Sequence, residues 1–347
     1  MSSGPTSAGP TGSGPTPDSD LLDLAESILA GAGDELWKTL EETGLARLTL
    51  PESAGGSGGS LIDAAAVLQL AGVHAAPVPL VETDLLAGWL LHTAGLPVPA
   101  GPLTAVSGDL QVTAGRVTGR LARVPWARGA AGIAVLTPTH VVLLTPGRVT
   151  ITEGTNLAEE PRDTVAVDTD VDTVTATADA PASAEGELRL RAALGRAQLL
   201  AGAARGALAR TVRYAGERVQ FGRPIGRFQA VQQQLALAAA EVAAAGAAAS
   251  AAASTAARDG FGARSTAFAV AAAKARTSES AGEVARIAHQ VHGAIGFTRE
   301  HDLRLLTTRL WAWRDEDGSE ARWQAELGAT VLAAGSDALW PMVTGTP

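Results

Sequence analysis

Apolar residues recur at helical spacing through the first hundred residues of the chain. Leu21, Leu24 and Ile28 lie about one helical turn apart, with polar residues between them, as one face of an amphipathic helix requires. Proline and glycine interrupt this pattern in LTLPESAGGSGGS, after which the helical spacing resumes until Pro97. The pattern therefore predicts a small helical domain over residues 20–100.

A second pattern, in which apolar and polar residues alternate with a period of two, marks the middle of the chain. The stretches AGIAVLTPTHVVLLTPGRVTITEG and DTVAVDTDVDTVTATAD are dense in Val, Ile and Thr, and Pro, Gly and Asp separate the runs. β-Branched side chains suit a pleated sheet, and the Pro, Gly and Asp residues suit turns between strands. We therefore expect a small β-domain over residues 101–184.

Helical spacing returns after this region and continues almost to the end of the chain. Long segments rich in Ala, Leu and Arg are found near residues 187–217, 227–258, 262–292 and 302–335. Four such segments predict an antiparallel four-helix bundle over residues 185–340, and their many alanines allow close helix packing within the bundle or between subunits. The predicted fold class is α+β, with an N-terminal helical domain, a small middle β-domain and a C-terminal four-helix bundle.

Composition limits the classes of function that the chain can have. Its 347 residues are 46% apolar and carry a formal net charge of −9, so no basic face is available for nucleic acid or an anionic membrane. Arginines interrupt the apolar helical segments, which argues against a membrane span. The absence of cysteine excludes disulfides and cysteine-ligated metals and fits a reducing compartment. We therefore expect a cytoplasmic protein that binds neither nucleic acid nor membrane.

The first nineteen residues differ in composition from the remainder of the chain. MSSGPTSAGPTGSGPTPDS is rich in Gly, Pro, Ser and Thr, and it lacks both an apolar core and an early basic run. These features predict a disordered tail over residues 1–19 rather than a signal peptide or an anchor.

One short stretch, RVQFGRPIGRFQAVQ, stands apart from the alanine-rich background at the junction of the first two bundle segments. Gly222, Pro224 and Gly226 predict a sharp turn there, with Arg218 at the end of the preceding helix. Taken alone, the stretch suits an ordinary corner between helices with a solvent-facing arginine. A guanidinium at a helix end can also engage phosphate oxygens through two parallel hydrogen bonds, but the stretch alone favours the ordinary corner.

Other candidate sites have weaker support in the sequence. His289 and His292 lie three residues apart on a predicted helix, but no third ligand stands at a suitable spacing, so we predict no metal site. The glycine-rich SAGGSGGS has no predicted strand before it and is expected to be a loop. No arrangement of serine, histidine and aspartate suggests a hydrolytic triad.

The order of these regions, together with four motifs, resembles the acyl-CoA dehydrogenase family of flavoproteins. The motifs are LWKTLEETGLARLTLPESAGGSGGS, YAGER from Tyr214, RVQFGRPIGRFQAVQ and HQVHGAIGFTREHDLRL. The resemblance covers residues 20–335 and is most specific in the C-terminal half. It implies α,β-dehydrogenation of an acyl thioester such as an acyl-CoA, with FAD as cofactor and a flavin-linked protein as electron acceptor.

The resemblance also implies a set of cofactor-binding residues. These are Arg218, Gln220, Phe221, Gly222, Phe228, Gln290, Gly293 and Ala294. Arg218 matches the arginine that binds the FAD diphosphate, and Gln290 with the backbone of Gly293 and Ala294 matches positions that meet the adenine end. In this family the bundle of one subunit contacts the FAD held by a neighbour, so an oligomer is also implied.

Acyl thioester dehydrogenation requires a carboxylate base, for which the resemblance offers two positions. One is Ala192, which carries no carboxylate, and the other is Asp317, which precedes a Gly-Ser pair in WRDEDGSEARWQ. Asp317 is one methylene shorter than the glutamate usual in the family, and Glu316 beside it is a second candidate, with Glu300 a distant third. The same acidic residues also suit an exposed loop that caps the last helix.

The middle region lacks a segment through which many members of the family hold the flavin ring. PAGPLTAVSGDLQVTAG stands where that segment is expected. Some bacterial members work as unlike subunits, of which one carries the base and the full flavin pocket. We therefore expect a subunit of a homo- or hetero-oligomer, with a non-catalytic interaction subunit of the same fold as the alternative.

Overall fold

The computed structural model describes residues 16–344, except residues 32, 34, 114, 171–175 and 299. Helices come first along the chain, then strands, then helices again, so the predicted α+β fold class is confirmed. Residues 1–15 of the predicted tail lie outside the described residues. The end of that predicted tail is helical, because the Asp18 carboxylate accepts hydrogen bonds from the amides of Asp20 and Leu21 and caps the first helix.

The N-terminal region is built from short helices. They are α1 (Ser19–Ala30), α2 (Leu36–Glu42), α3 (Leu61–Val73), a π-helix (Val81–Gly88) and α4 (Trp89–Thr93). Ser60 and Asp63 form a reciprocal capping box that starts α3. The π-helix is buried along its whole length, including the carboxylates of Glu82 and Asp84. π-Helical turns occur frequently at functional sites.

The middle region contains two four-stranded sheets. Their strands are β1 (Leu103–Ser107), β2 (Leu110–Val112), β3 (Arg116–Pro125), β4 (Gly132–Leu136), β5 (His140–Leu144), β6 (Thr150–Thr152), β7 (Arg162–Asp170) and β8 (Ala176–Asp179). One sheet has the order β1-β4-β5-β8 and the other β2-β3-β7-β6, and β1 pairs with β4 in parallel while the other pairs are antiparallel. Leu121, Val135 and Val165 belong to a core that residues of both sheets share.

The C-terminal region consists mainly of long helices. They are α5 (Ala184–Glu217), α6 (Gln229–Asp259), α7 (Arg264–His292), α8 (Leu303–Asp315), α9 (Glu320–Ala334) and α10 (Ser336–Thr344). The segment expected as one helix over 302–335 is two helices, α8 and α9. The break lies at Asp317 and Gly318, whose φ angles of +56° and +101° are incompatible with a right-handed helix.

Glycines bring the N-terminal region into close contact with the bundle. A Cβ atom on Gly202 of α5 would lie 1.9 Å from the carbonyl oxygen of Gln69 in α3. A Cβ atom on Gly72 of α3 would lie 2.3 Å from the carbonyl oxygen of Leu199 in α5. Any side chain at either position would push the two helices apart, so α3 and α5 pack backbone against backbone.

Helix α6 lies on the outside of the bundle and packs against α5 and α7. Its buried residues are all alanines. In the part of the chain that the structure describes, α6 is the one helix whose length and composition would allow it to cross a membrane. Its central charged residue, Glu241, forms an ion pair with Arg276 of α7. The helix is therefore held in the bundle by small side chains and an ion pair.

Candidate functional site

The junction between α5 and α6 is a two-residue β-hairpin. Strand β9 (Val219–Gln220) pairs antiparallel with β10 (Arg223–Pro224), and the turn residues Phe221 and Gly222 have φ angles of +52° and +76°. Positive φ at both central positions is the geometry of a type I′ turn, for which glycine is well suited. The sharp turn expected at this corner is present, and it projects Phe221 away from the bundle.

Phe221 combines backbone strain with exposure to solvent. Positive φ is a conformational outlier for a bulky residue, and the Phe221 residue is 92% exposed. Its ring meets the Phe228 ring edge-on at a centroid separation of 6.1 Å, while the Arg223 guanidinium lies 4.3 Å from the centre of the Phe228 ring. An aromatic ring held in water by a strained backbone is typical of a surface that contacts a ligand or another subunit.

A cleft of about 330 Å³ lies beside this hairpin. Gln220, Phe221 and Phe228 line it from the corner, and Gln290 lines it from α7. The structure therefore brings four of the predicted cofactor-binding residues together, although α7 is more than thirty residues away along the chain. The mixture of aromatic and amide side chains suits a flat, partly polar ligand.

Arg218 lies at the C-terminal end of α5, where the helix turns into the hairpin. Its amide donates a hydrogen bond to the Tyr214 carbonyl, and its own carbonyl accepts one from the Ile225 amide, both at 2.8 Å. The residue is exposed, and its guanidinium has no hydrogen-bond or ion-pair partner among the described residues. The backbone is therefore held at both sides while the cation is available to an anionic ligand.

A second cleft, of about 560 Å³, lies at the C-terminal end of α7. Gln290, Gly293 and Ala294 line it, and positive φ at Gly293 (+64°) ends the helix there. Because Gln290 lines both clefts, the two clefts are neighbours on one face of the bundle. Six of the predicted residues thus line this pair of clefts, whereas Arg218 and Gly222 line neither.

Stacked aromatic rings line the second cleft. His289 stacks on Phe297 at a centroid separation of 4.1 Å and on Trp311 at 5.1 Å, and its Nε2 atom lies 3.0 Å from Oγ1 of Thr307. Burial lowers the pKa of His289, which favours the neutral ring. The sequence predicted no metal-ligand role for His289 and did not identify His289, Phe297 or Trp311 as part of this cleft.

His292 has a structural environment of its own. Its Nδ1 atom lies 2.8 Å from the Ala288 carbonyl oxygen, and its ring stacks on Tyr214 at a centroid separation of 4.4 Å. Across the described residues, no group of three or more His, Asp or Glu side chains is placed to hold a metal ion.

The predicted base, Asp317, lies in the loop between α8 and α9. Nε of Arg196 donates a hydrogen bond to Oδ2 of Asp317 at 2.9 Å, and Nε1 of Trp323 donates to the Asp317 carbonyl at 3.1 Å. The Asp317 side chain is 26% exposed, and its Oδ1 atom accepts no hydrogen bond from the described residues. A Cβ atom on Gly318 would lie 2.5 Å from Nε1 of Trp323, so the loop requires glycine there.

Glu316, the second predicted base, is held by basic side chains. Arg162 donates to both of its carboxylate oxygens, at 2.9 and 2.6 Å, and Asn156 donates to Oε1 at 3.0 Å. Burial alone would raise the pKa of Glu316, but Arg196 and Arg162 hold it below its usual value. Glu316 is therefore a charged carboxylate whose oxygens already have partners.

Arg196 connects the acidic loop to the N-terminal region. It is buried in the middle of α5 and donates to Glu82 of the π-helix at 3.0 Å as well as to Asp317. Burial alone would lower the pKa of Arg196, but the carboxylates of Asp317, Glu316 and Glu82 raise it well above its usual value. Ala192, the alternative base position, lies one helical turn earlier on the same face of α5.

The remaining acidic candidate lies elsewhere. Glu300 lines a separate, charged cleft together with Arg210 and Arg213.

The buried residues that surround Asp317 were not identified from the sequence, because their partners are distant along the chain. They are Glu82, Arg162, Arg196 and Lys274.

Within one chain, the two clefts and the Asp317 loop lie at different positions along the bundle. Lys274, which contacts the loop, and Gln290, which lines both clefts, are 16 residues apart in α7, or about 24 Å at 1.5 Å per residue. Asp317 lines neither cleft, so a ligand confined to these two clefts does not contact the Asp317 of the same chain.

The corner residues fit the diphosphate and adenine end of FAD. The unpaired Arg218 guanidinium suits a diphosphate, and the clefts that share Gln290 suit the flat, polar adenine. The segment PAGPLTAVSGDLQVTAG, which stands where the family holds the flavin ring, forms β1 and β2 and pairs with β4 and β3 respectively.

Comparison with known proteins identifies relatives over most of the chain. The model of the acyl-CoA dehydrogenase N-terminal domain matches residues 22–97, and that of the acyl-CoA dehydrogenase C-terminal domain matches residues 190–328. Acyl-CoA dehydrogenase IpdE2 of Mycobacterium tuberculosis is 33% identical over 304 residues, which covers 80% of this chain and 81% of the relative. Acyl-CoA dehydrogenase IpdE2 of Mycolicibacterium smegmatis is 32% identical over 287 residues, 80% of this chain and 82% of the relative.

Among solved structures, the chain is similar to one in the ChsE4-ChsE5 complex from Mycobacterium tuberculosis. The TM-score is 0.81 at 25% sequence identity, and the match covers 91% of this chain and 97% of that chain. The similar structure comes from a complex of two different proteins.

Proposed function

The chain belongs to the acyl-CoA dehydrogenase family and has the acyl-CoA dehydrogenase-like function of a flavoprotein oxidoreductase; from this premise we propose that it works as one subunit of an oligomer. In that oligomer an acyl thioester is oxidised to its 2,3-unsaturated product. The observation that carries the proposal is the exposed, strained Phe221 hairpin beside two clefts that share Gln290.

We propose that the hairpin corner binds FAD across a subunit interface. Arg218 would pair with the diphosphate, while Gln290, Gly293 and Ala294 would contact the adenine end. The separation of about 24 Å along α7 between these residues and the loop of the same chain supports this arrangement. A cofactor bound at the corner would then serve the reactive centre of the neighbouring subunit.

The remaining predicted residues would shape the corner rather than bind charge. Gln220, Phe221 and Phe228 would line the cofactor's surroundings, and Gly222 would supply the positive φ that the turn requires. FAD, when bound, supplies the acceptor for the hydride that leaves the β-carbon of the substrate.

Asp317 is the proposed base that removes the α-proton. Its Oδ2 atom is held by Arg196, so the carboxylate has a defined orientation, while its Oδ1 atom is open to receive a proton. Glu316 is less suited to this role, because Arg162 already donates to both of its carboxylate oxygens. We therefore assign Glu316 the role of anchoring the loop and Asp317 the chemical role.

We also propose that the partner is an unlike acyl-CoA dehydrogenase-like chain. The strand pairing of PAGPLTAVSGDLQVTAG, where the family holds the flavin ring, supports this, as does the similarity to a chain in a two-protein complex. A flavin-linked electron acceptor protein would reoxidise the cofactor. The assembly would be soluble and cytoplasmic, with no nucleic acid or membrane partner.

A second candidate is a subunit that assembles the enzyme without a base of its own. The contacts of Asp317 favour this candidate, because a carboxylate held by the buried Arg196 in a loop fixed by Trp323 is also suited to a purely structural role. Both candidates keep the Arg218 corner and the oligomer.

Purification of the chain alone, and together with an acyl-CoA dehydrogenase-like chain from its own source, tests these proposals. We expect flavin absorbance and dehydrogenation of an acyl-CoA in the co-purified complex. A colourless oligomer that takes up no added FAD, with or without the partner, would refute cofactor binding. Activity that is unchanged by Asp317→Asn would favour the second candidate.

A further inference from the structure

Lys274 is a fully buried cation in the middle of α7. Its Nζ atom donates hydrogen bonds to three neutral oxygens: Oγ of Ser278 at 3.0 Å, the carbonyl of Arg314 at 2.9 Å and the carbonyl of Gly318 at 2.9 Å. An ammonium has three donors, so this set satisfies the group completely. No carboxylate lies within ion-pair distance of Nζ in the part of the chain that the structure describes.

The two carbonyls that Lys274 binds lie on either side of Asp317. Arg314 is in the last turn of α8, and Gly318 precedes α9, so one side chain joins both ends of the loop. Ser278 reinforces the same point, because its hydroxyl also donates to the Arg314 carbonyl at 3.1 Å. The loop is therefore held by hydrogen bonds from Lys274 and Ser278 of α7 and from Arg196 of α5.

The loop conformation needs such support because it is strained. Asp317 has φ of +56°, a region that non-glycine residues rarely occupy, and such conformations persist when surrounding contacts hold them in place. Lys274 is one of only two lysines in the chain, while the other cationic side chains are arginines. A planar guanidinium would not match three oxygens around one point, whereas a compact ammonium does.

We propose that Lys274 is a positioning residue that holds the loop between α8 and α9 so that Asp317 is presented to the acyl thioester. The inference rests on the proposed role of Asp317 as the base. Lys274 is fully buried and presents no surface to a ligand, so it acts through the Arg314 and Gly318 carbonyls. Its loss would allow the loop to relax, and a displacement of about 1 Å at a reacting group can lower a rate a hundredfold.

The protonation state of Lys274 provides a further test, because a purely structural role for this residue would not make activity depend on pH near 8. Burial lowers the pKa of Lys274 to about 8, against the opposing effect of Asp317. The charged groups that act on it are Asp315 from the end of α8, Glu316 and Asp317 from the loop, and Arg196 from α5. Loss of the proton leaves two donors for three acceptors, so loop order should fall as pH rises through about 8.

The test compares Lys274→Met, Lys38→Met and Asp317→Asn in the assembled, FAD-loaded complex. Lys38 is the other lysine, exposed on α2, and serves as the matched control. The measurements are kcat and KM for an acyl-CoA between pH 6.5 and 9, flavin content, and hydrogen exchange of a peptide over residues 311–323. A peptide over residues 214–228 reports on the Arg218 corner.

For Lys274→Met we expect kcat to fall about ten- to a hundredfold, with KM and flavin content within twofold of the wild type. Exchange of the 311–323 peptide should accelerate while that of 214–228 stays unchanged. The wild type should lose activity as pH rises through about 8, and Lys274→Met should lack this limb. Lys38→Met should match the wild type throughout.

Three results would overturn the inference. Wild-type kcat and loop exchange in Lys274→Met, beside an inactive Asp317→Asn, would refute the positioning role and leave the proposed base intact. Full activity in Asp317→Asn would instead refute the base, and the catalytic part of this inference with it. Loss of flavin together with accelerated exchange in both peptides would show that Lys274 supports the bundle as a whole, which also contradicts a positioning role.

Discussion

Nε of Arg196 lies 2.9 Å from Oδ2 of Asp317, and this contact joins the middle of α5 to the loop between α8 and α9. The same guanidinium donates to Glu82 of the π-helix, so the loop and the N-terminal region share one buried cation. Removal of Arg196 would leave the buried Glu82 carboxylate without this partner, whereas removal of the Asp317 charge would leave Arg196 paired with Glu82. The position of Asp317 is therefore coupled to the packing of the N-terminal region against the C-terminal bundle.

Replacement of Asp317 by asparagine should abolish proton abstraction while keeping the loop intact. Asparagine has the same shape and tolerates positive φ, but its amide cannot accept the α-proton. We expect kcat of the assembled enzyme to fall by several orders of magnitude with flavin content unchanged. Asp23→Asn, on the exposed face of α1, is the matched control. Full activity of Asp317→Asn would place the base in the partner subunit or at Glu316.

The helices, the strands of the middle region and the corner turn were predictable because their signals are local. The spacing of apolar residues indicates the buried face of a helix. Gly222 indicates a turn with positive φ, which the Phe221 hairpin has. The contacts around Asp317 have no local signal, because Arg196 is 121 residues away and Lys274 donates to a carbonyl 44 residues away. The break between α8 and α9 depends on these same contacts.

Arg218→Ala should weaken retention of FAD. A charge-assisted contact of this kind contributes about 1.5 to 3 kcal/mol, so the dissociation constant should rise about ten- to a hundredfold. Arg120→Ala, an exposed arginine on β3, is the control and should have no effect. The measurement is a flavin titration of the assembled protein at constant ionic strength. Equal flavin affinity of Arg218→Ala and the wild type, with an intact oligomer, would refute the assignment of Arg218.

Asp84 should make stability depend on pH. Burial raises the pKa of Asp84 from 3.8 to about 6, although Thr49 donates two hydrogen bonds to its carboxylate. Because the pKa of Asp84 is higher in the folded protein, its protonated carboxyl contributes stability that is fully present below pH 3.8. This contribution is lost as pH rises through about 6. Because asparagine resembles the protonated form, Asp84→Asn should gain up to about 3 kcal/mol relative to the wild type between pH 4 and 7.

Thermal unfolding of the wild type and Asp84→Asn at several pH values between 4 and 7.5 measures this difference. Asp63→Asn provides a control of opposite sign. Although burial alone would raise the pKa of Asp63, the hydrogen bonds from Ser60 and Asp18 lower it. Its charged form therefore stabilises the fold above pH 3.8, and this contribution is lost at lower pH. A difference between Asp84→Asn and the wild type that does not vary with pH would contradict the prediction.

Helix α6 should carry an interface of the oligomer, because its outward face is apolar and uncharged in the middle. Ala243 is exposed there, while Glu241 is paired with Arg276 of α7. Ala243→Glu should preserve helix content, since glutamate is a good helix former, but it would bury a charge at the interface and shift the assembly towards monomer. Ala30→Glu, on the exposed end of α1, is the control. The measurement is the mass of the assembly at micromolar concentration, with FAD and the partner chain present. A monomeric wild type would show that α6 contributes no interface. An Ala243→Glu variant that assembles as the wild type does would show the same.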